Sequence, residues 1–347
     1  MERKTAERNL RIRQHNRDAK RDKLTLAPAN ASRNGGQAED QEHDENERKL
    51  GNEQQRGSKL RQSVQHQFLR PRPSFAGYKK FAAWTWIASE GTIDRMLGLK
   101  QREVERLDFI VPGAQKSGTT ALHYFLKKHP QIALPDRQEL HFFDDEEIFS
   151  RPIDYQTLHR RFSPIASSAI AGEVTPSYLY WKPAMERIHS YNPQIKLVIL
   201  LRSPVDRAFA HWNMQRFKDR EPLDFLDALK EEPRRIGQLL SIESRRFAYV
   251  DRGFYSAQLE RVFKLFPREQ VHVVKFEDFH DRKQESLDMI FDFLGVKGLR
   301  VTRDPDRNVV PYERAMTPDE RKYLFEVFAT DIAKVKQMLG WDLSDWK

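Results

Sequence analysis

The chain has 347 residues, of which 32% are charged and 39% hydrophobic, and its formal net charge is +9. This length allows one large or two small domains. The absence of cysteine excludes disulfide bonds, zinc–thiolate sites and cysteine nucleophiles. The positive charge suits anionic ligands, but no motif typical of DNA- or RNA-binding proteins is present, so we expect no nucleic-acid partner.

Residues 1–75 have the composition of a disordered, charged tail. Arg, Lys, Glu, Asp, Gln and Asn recur there, and almost no aromatic residue precedes Phe68. Such a segment buries too little apolar surface to offset the entropy lost on ordering. The N-terminus lacks the apolar segment of a signal peptide, and no run of about 18 apolar residues could span a bilayer. We therefore expect a tail at 1–75, a folded domain at 76–347 and a cytoplasmic protein without a transmembrane segment.

Apolar strands that alternate with helices predict an α/β fold for the rest of the chain. The predicted strands lie at 107–111, 131–134, 170–174, 195–201 and 271–276. The predicted helices lie at 119–128, 204–217, 223–231, 254–266, 285–294 and 317–338. This order implies a central parallel sheet covered by helices on both faces, a P-loop-like three-layer sandwich. Ligands of such sheets bind at the carboxyl ends of the strands.

The segment 107–122, LDFIVPGAQKSGTTAL, predicts an anion-binding loop. A strand, a loop bounded by Gly113 and Gly118, and a helix start present backbone amides to a phosphate. The glycine spacing is that of a P-loop, but Thr119-Thr120 replace the usual Lys-Ser/Thr pair, and the lysine lies inside the loop as Lys116. The candidate anion-binding residues of the loop are Lys116, Ser117, Gly118, Thr119 and Thr120.

The strand at 195–201 delivers a second cation to the same edge of the sheet. It ends in Arg202, and a helix follows in which Ser203 can be the N-cap and Asp206 stands in the capping-box position. A nucleotide triphosphatase often ends such a strand in an aspartate that holds Mg²⁺. Here Arg202, with Arg207 one turn later, predicts neutralisation of phosphate by guanidinium groups and no metal.

The pair Glu139 and His141 is the best candidate for acid–base chemistry. Two residues apart, their side chains would project to one face of an extended segment. A carboxylate beside an imidazole suits proton abstraction from a hydroxyl. The alternative is that Glu139 belongs to a solvated acidic patch with the carboxylates at 144–147.

Two motifs carry a resemblance to a known family. PGAQKSGTTAL resembles the 5'-phosphosulfate loop, and LRSPVDRAFAHW the 3'-phosphate motif, of sulfotransferases that use 3'-phosphoadenylyl sulfate (PAPS). The likeness covers roughly 107–347, includes GEVTPSYL and KFEDF, and is nearest the heparan sulfate and bacterial carbohydrate branch. Ala210 stands where the family's 3'-phosphate motif has serine, and Val174 where many heparan-type relatives have lysine.

The resemblance also implies roles for individual residues. DRQELHFFDDEE resembles the Glu-x-His-Phe-Phe-Asp segment in which glutamate is the general base, so Glu139 would be the base here, with His141 as the reserve candidate. Lys116 would neutralise the leaving oxygen, and Arg202 and Arg307 would contact the 3'-phosphate. Tyr178 and Trp181 are further candidates, to stack on adenine or on a sugar ring.

The implied reaction is in-line transfer of a sulfuryl group from PAPS to a hydroxyl or amine of an acceptor. We expect the acceptor to be a carbohydrate or glycoconjugate. The partners would be PAPS, its product adenosine 3',5'-bisphosphate (PAP), and the acceptor. Two alternatives stay open from the residues alone. One is a P-loop kinase or triphosphatase, and the other is a nucleotide-binding protein without catalysis.

Overall fold

The structure, a computed structural model, describes residues 100–237, 244–301 and 311–346. The predicted tail at 1–75 and the candidate phosphate contact Arg307 lie outside these ranges, and the domain boundary at residue 76 stays a prediction. No helix in the described ranges is long and apolar enough to cross a membrane.

Five of the strands in the described ranges form one parallel sheet. In chain order the strands are β1 (Gln101–Arg102), β2 (Phe109–Gly113), β3 (Ile132–Ala133), β4 (Ile165–Ala166), β5 (Ile170–Val174), β6 (Lys196–Leu201) and β7 (Val271–Lys275). The parallel sheet has the order β3-β5-β2-β6-β7, whereas β1 and β4 pair antiparallel in a separate ladder. The predicted central parallel sheet is confirmed.

Helices follow most of the strands. Those in the described ranges are α1 (Thr119–Lys127), α2 (Glu146–Phe149), α3 (Gln156–His159), α4 (Lys182–Tyr191), α5 (Pro204–Phe217), α6 (Phe225–Gly237), α7 (Tyr255–Leu265), α8 (Phe276–Asp281), α9 (Lys283–Leu294) and α10 (Pro318–Leu339). All six predicted helices are present. The longest one that the sequence reading missed is α4, although Pro183 near its start and the buried residues Ala184, Met185 and Ile188 form a helical pattern.

The sheet separates two hydrophobic clusters, as expected of a three-layer sandwich. Successive side chains of a strand point to opposite faces. In β6, Leu197 and Ile199 pack in one cluster, whereas Val198 and Leu200 pack in the other. Both faces of β6 are therefore buried, which explains its uninterrupted apolar sequence.

Strand β2 extends further than the sequence predicts. Pro112 and Gly113 belong to the strand, which was predicted to end at residue 111. Proline cannot donate a hydrogen bond and is unusual in a central strand. It is accommodated because the register between β2 and β6 shifts between Ile110 and Gly113, and because the Pro112 carbonyl accepts a hydrogen bond from the amide of Leu179.

The strand order fixes where a ligand can bind. Strand β2 lies between β5 and β6, and the chain passes from β5 on one side of it to β6 on the other. At such a switch point the loops that follow neighbouring strands diverge and leave a crevice at the carboxyl ends. The predicted anion loop follows β2 and therefore opens into this crevice.

The contact between β2 and β5 yields a stability prediction. Gly172 lies opposite Phe109, and a Cβ atom there would approach the Phe109 ring to 2.3 Å. We expect Gly172→Ala to lower the free energy of unfolding by about 1–3 kcal/mol, the usual cost of overpacking. Urea unfolding measures the change.

Gly237→Ala is the matched control, because a Cβ at this helical position meets no atom of the described residues within 4 Å. We expect that variant to unfold like the unmodified protein or slightly later. Equal stability of the two variants would contradict close packing of Gly172 on Phe109.

Candidate active site

The loop between β2 and α1 is shaped to present backbone N–H groups. Lys116 and Gly118 have φ angles of 70° and 87°, in the left-handed region. Gly118 is the N-cap of α1, and no side chain in the described part of the chain caps the helix there. A Cβ at Gly118 would also lie 2.9 Å from the Phe276 ring. Glycine is thus required, and the first N–H groups of α1 remain available to an anion.

Positive charge accumulates at this loop. The Arg202 guanidinium, just after β6, donates to the Lys116 carbonyl at 3.4 Å and lies 4.9 Å from the centre of the Phe276 ring. Burial, and then the charges of Arg202 and Lys218, lower the pKa of Lys116 from 10.5 to about 8. No carboxylate among the described residues pairs with Lys116, so the loop is suited to bind an external anion.

The other predicted loop residues directly follow Lys116 in the chain. Ser117 and Thr119 are buried and Thr120 is half-buried. The Ser117 hydroxyl lies near the Tyr255 phenol but makes no hydrogen bond of good geometry with a described residue. A buried hydroxyl without a partner is unfavourable unless a ligand or water completes it.

The helix start after Arg202 differs in detail from the prediction. The Ser203 hydroxyl does cap α5 by accepting from the amide of Asp206. The Asp206 carboxylate, however, pairs with Arg321 of α10 at 2.8 Å. Glu277 of α8 accepts from the Ser203 amide instead and so completes the cap from another element.

Arg207 is not a second exposed cation. Its side chain is completely buried, and one guanidinium nitrogen donates to the Tyr249 carbonyl, whereas Nε and Nη1 have no hydrogen-bond partner among the described residues. Burial lowers the pKa of Arg207. Ala210, which replaces the family's serine, is also buried in α5, so Arg202 is the partly exposed cation at the end of β6.

Glu139 and His141 are neighbours, but not for the predicted reason. Their φ angles are 55° and 57°, so the prediction of an extended segment is wrong. The left-handed turns still bring His141 Nε2 to 3.7 Å from a Glu139 carboxylate oxygen. The Glu139 side chain is 42% exposed and paired with His141, whereas the alternative was a solvated patch of carboxylates.

His141 is held as a cation by acidic groups on both sides. Its Nδ1 lies 3.1 Å from Asp144 Oδ1. Hydrogen bonds to Asp144 and then to Glu139, reinforced by both charges, raise the pKa of His141 to about 9 despite its burial. A histidine that is already protonated at neutral pH cannot accept a proton, and this disfavours His141 as the base.

Asp144 is a fully buried carboxylate with several donors. The Ser177 hydroxyl donates to its Oδ2 at 2.5 Å, and the Arg245 guanidinium donates to the same oxygen at 3.1 Å. Burial alone would raise the Asp144 pKa, but His141, Ser177 and Arg245 together lower it. Asp144 therefore stays ionised and faces His141.

A second buried carboxylate, Glu173 at the end of β5, supports the same segment. Tyr178 and Thr175 donate hydrogen bonds to its two oxygens at 2.9 and 3.0 Å. The Tyr178 hydroxyl also accepts from the amide of Phe142. Burial raises the pKa of Glu173 to about 7. Tyr178 is thus fully occupied in holding the backbone beside His141 and is not free to stack on a ligand.

Glu173, Ser177 and Arg245 were not singled out from the sequence. Polar residues at every second position of Glu173-Val-Thr-Pro-Ser177 after an apolar strand could have indicated the first two. Arg245 lies 101 residues from Asp144 in the chain, and no local pattern connects them.

Comparison with known proteins agrees with this architecture. A model of the family described as "Sulfotransferase domain" matches residues 106–307, more than half of the chain. This protein therefore belongs to the sulfotransferase family, and the class predicted from the sequence is confirmed.

Individual relatives fit the same family. Membrane-associated sulfotransferase kil1 of Dictyostelium discoideum is 23% identical over 68% of this chain and 65% of its own length. Heparan sulfate glucosamine 3-O-sulfotransferase 5 of Homo sapiens is 30% identical over 54% of this chain and 53% of its own length. The chain thus spans between about half and two thirds of these curated relatives. A sulfotransferase crystal structure from Alicyclobacillus acidocaldarius aligns with a TM-score of 0.61 and 32% identity over 70% of this chain and 99% of that one.

The charge state of His141 can be tested directly. We expect NMR titration to give a His141 pKa of about 9, and Asp144→Asn to lower it towards 6.5 because the ionised partner is lost. His272 is an internal control: burial lowers its pKa, and it should titrate alike in both proteins. A His141 pKa near 6.5 in the unmodified protein would contradict the described contacts.

Proposed function

We propose that this protein transfers the sulfuryl group of PAPS to a hydroxyl or amine of a carbohydrate acceptor, with Glu139 as the general base. One observation carries the proposal. The cationic loop follows β2, and the Glu139–His141–Asp144 group rests on residues that follow β5, the strand paired with β2. An anion loop and a proton acceptor at adjacent strand ends are the two parts that this reaction needs.

The loop residues fit the phosphosulfate end of PAPS. Within the described residues, no side chain caps the start of α1, the Ser117 hydroxyl has no hydrogen bond of good geometry and Lys116 has no carboxylate partner, so a bound anion would stabilise all three. Lys116 would neutralise the charge that develops on the oxygen bridging phosphorus and sulfur as the bond from sulfur to that oxygen breaks. The amides at 117–120 would hold the 5'-phosphate. Arg202 would bind the 3'-phosphate. PAPS itself supplies the activated sulfuryl group.

Glu139 would accept the proton of the acceptor. Its partly exposed carboxylate can meet an incoming hydroxyl, whereas Asp144 and Glu173 are completely buried. His141, protonated between Glu139 and Asp144, would orient the Glu139 carboxylate. Among these acidic and imidazole groups, Glu139 is therefore the base that an acceptor can reach.

A carbohydrate acceptor is supported by the relatives whose names include heparan sulfate. A metal-independent reaction and a cytoplasmic location are parts of the proposal; in the described ranges no three His, Asp or Glu side chains are grouped as a metal site. Arg202 disfavours the kinase or triphosphatase alternative, because it stands where a triphosphatase often has the aspartate that holds Mg²⁺.

The non-catalytic alternative differs from the proposal in one measurable property, the turnover of PAPS with an acceptor.

Calorimetry with PAP tests the anion loop. We expect metal-independent binding of PAP that is tightest below about pH 8, where Lys116 is protonated in the free protein. Because the bound anion raises the Lys116 pKa, affinity should fall above that pH by up to about tenfold per unit, with proton uptake on binding. Buffers of different ionisation enthalpy reveal the uptake.

Lys116→Ala should weaken PAP binding and abolish this pH dependence, whereas Lys127→Ala, at an exposed position of α1, should change neither. Mg²⁺-dependent ATP binding with no PAP binding would overturn the proposal in favour of a kinase or triphosphatase. Equal affinity of the Lys116→Ala variant for PAP would remove Lys116 from the site.

Glu139→Gln tests the base. We expect it to lower turnover of labelled PAPS with a heparan-type oligosaccharide by about 10²- to 10⁴-fold, the usual scale for general-base catalysis, with PAP affinity unchanged. Glu147→Gln, in the same acidic stretch but 78% exposed and paired with Arg151, is the matched control and should keep full activity. Near-normal turnover of the Glu139→Gln variant would exclude Glu139 as the base.

A further inference from the structure

Arg245 contacts the catalytic segment from a distant part of the chain. It lies in the 3₁₀-helix Ser244–Phe247, and its side chain is only 3% exposed. One guanidinium nitrogen donates to Asp144 Oδ2 at 3.1 Å, and the other donates to the Asp144 carbonyl at 3.0 Å. One side chain therefore fixes both the carboxylate and the backbone of Asp144.

The guanidinium is itself held in place. It stacks on the Trp181 ring at 3.4 Å from the ring centre, and the Trp181 indole donates to Glu146 at 2.7 Å. The Arg245 carbonyl accepts two hydrogen bonds from Arg252. The position of Arg245 is thus determined from both ends, which reduces the entropy lost in each hydrogen bond that it makes.

The segment that Arg245 contacts needs such support. Residues 138–142 lie in neither a helix nor a strand, and two of them have positive φ angles. Charges alternate outward from Arg245 through Asp144 and His141 to Glu139. His141 Nδ1 lies 3.1 Å from Oδ1 and 3.2 Å from Oδ2 of Asp144, and Oδ2 also accepts from Arg245 and Ser177. Because Asp144 engages Nδ1, Nε2 is left towards Glu139.

We propose that Arg245 is a positioning residue for sulfuryl transfer: by clamping Asp144 it orients His141 and so holds the Glu139 carboxylate where it accepts the acceptor proton. This inference rests on the proposed function. It assigns to Arg245 no contact with either substrate, because its side chain is enclosed.

A double-mutant cycle tests the proposal. We expect Arg245→Met to lower kcat by about 10- to 100-fold, the scale for displacing a reacting group by about 1 Å, with PAP affinity unchanged. In the Glu139→Gln background the same substitution should cost nothing further, because its effect acts through Glu139. Arg282→Met removes an exposed arginine paired with Asp278 and controls for the lost charge.

Each outcome has a distinct meaning. Near-normal kcat in Arg245→Met, or an equal further loss in the Glu139→Gln background, overturns the positioning role. Full activity of the Glu139→Gln single variant instead overturns the base assignment of the proposed function. If Arg245→Met does not fold, Arg245→Lys replaces it, because a lysine cannot bridge the Asp144 carboxylate and the Asp144 carbonyl. We expect this variant to lose activity in kcat alone, with no further loss in the Glu139→Gln background. Full activity of Arg245→Lys would contradict the positioning role.

Discussion

Strand β2 hydrogen-bonds to β5 on one side and to β6 on the other, and all three strands run in the same direction. This pairing brings the residues that follow each strand to a single edge. Lys116 follows β2, Arg202 follows β6, and Thr175 and Ser177 follow β5. The three segments are far apart in the chain, so the site exists only while the sheet is intact.

The edge is divided electrostatically. After β2 and β6, Lys116 and Arg202 are positive and have no carboxylate partner among the described residues. Burial makes this state costly for Lys116 until an anion binds. Over β5 the charges alternate in sign through Arg245, Asp144 and His141, and they are largely satisfied within the protein. One half of the edge thus carries cations without a carboxylate partner in the described ranges, whereas the charged groups of the other half pair with one another.

Features that depend on neighbouring residues could be predicted from the sequence. A few consecutive residues suffice to predict each strand, the glycine-bounded loop with Lys116 and the arginine that follows β6. The proximity of Glu139 and His141 was expected from an extended backbone, whereas the structure achieves it by left-handed turns that Tyr178 supports across 36 residues.

Features that depend on tertiary contacts could not be predicted. Arg207 has the sequence position of a phosphate ligand, but the fold buries it completely and places one guanidinium nitrogen against the Tyr249 carbonyl. Arg245 carries no local signal, since its partner is brought to it only by the fold. The same limit applies to Glu277, which completes the cap of α5 in place of Asp206.

A crystal structure of the protein with PAP would show whether the cationic loop and Glu139 face one ligand from adjacent strand ends. We expect the 5'-phosphate to lie against Lys116 Nζ and the amides at 117–120. The Glu139 carboxylate should face that phosphate across the open crevice, with no protein atoms between them. PAP bound at another edge of the sheet, or a Glu139 carboxylate separated from the phosphate by protein, would contradict this arrangement.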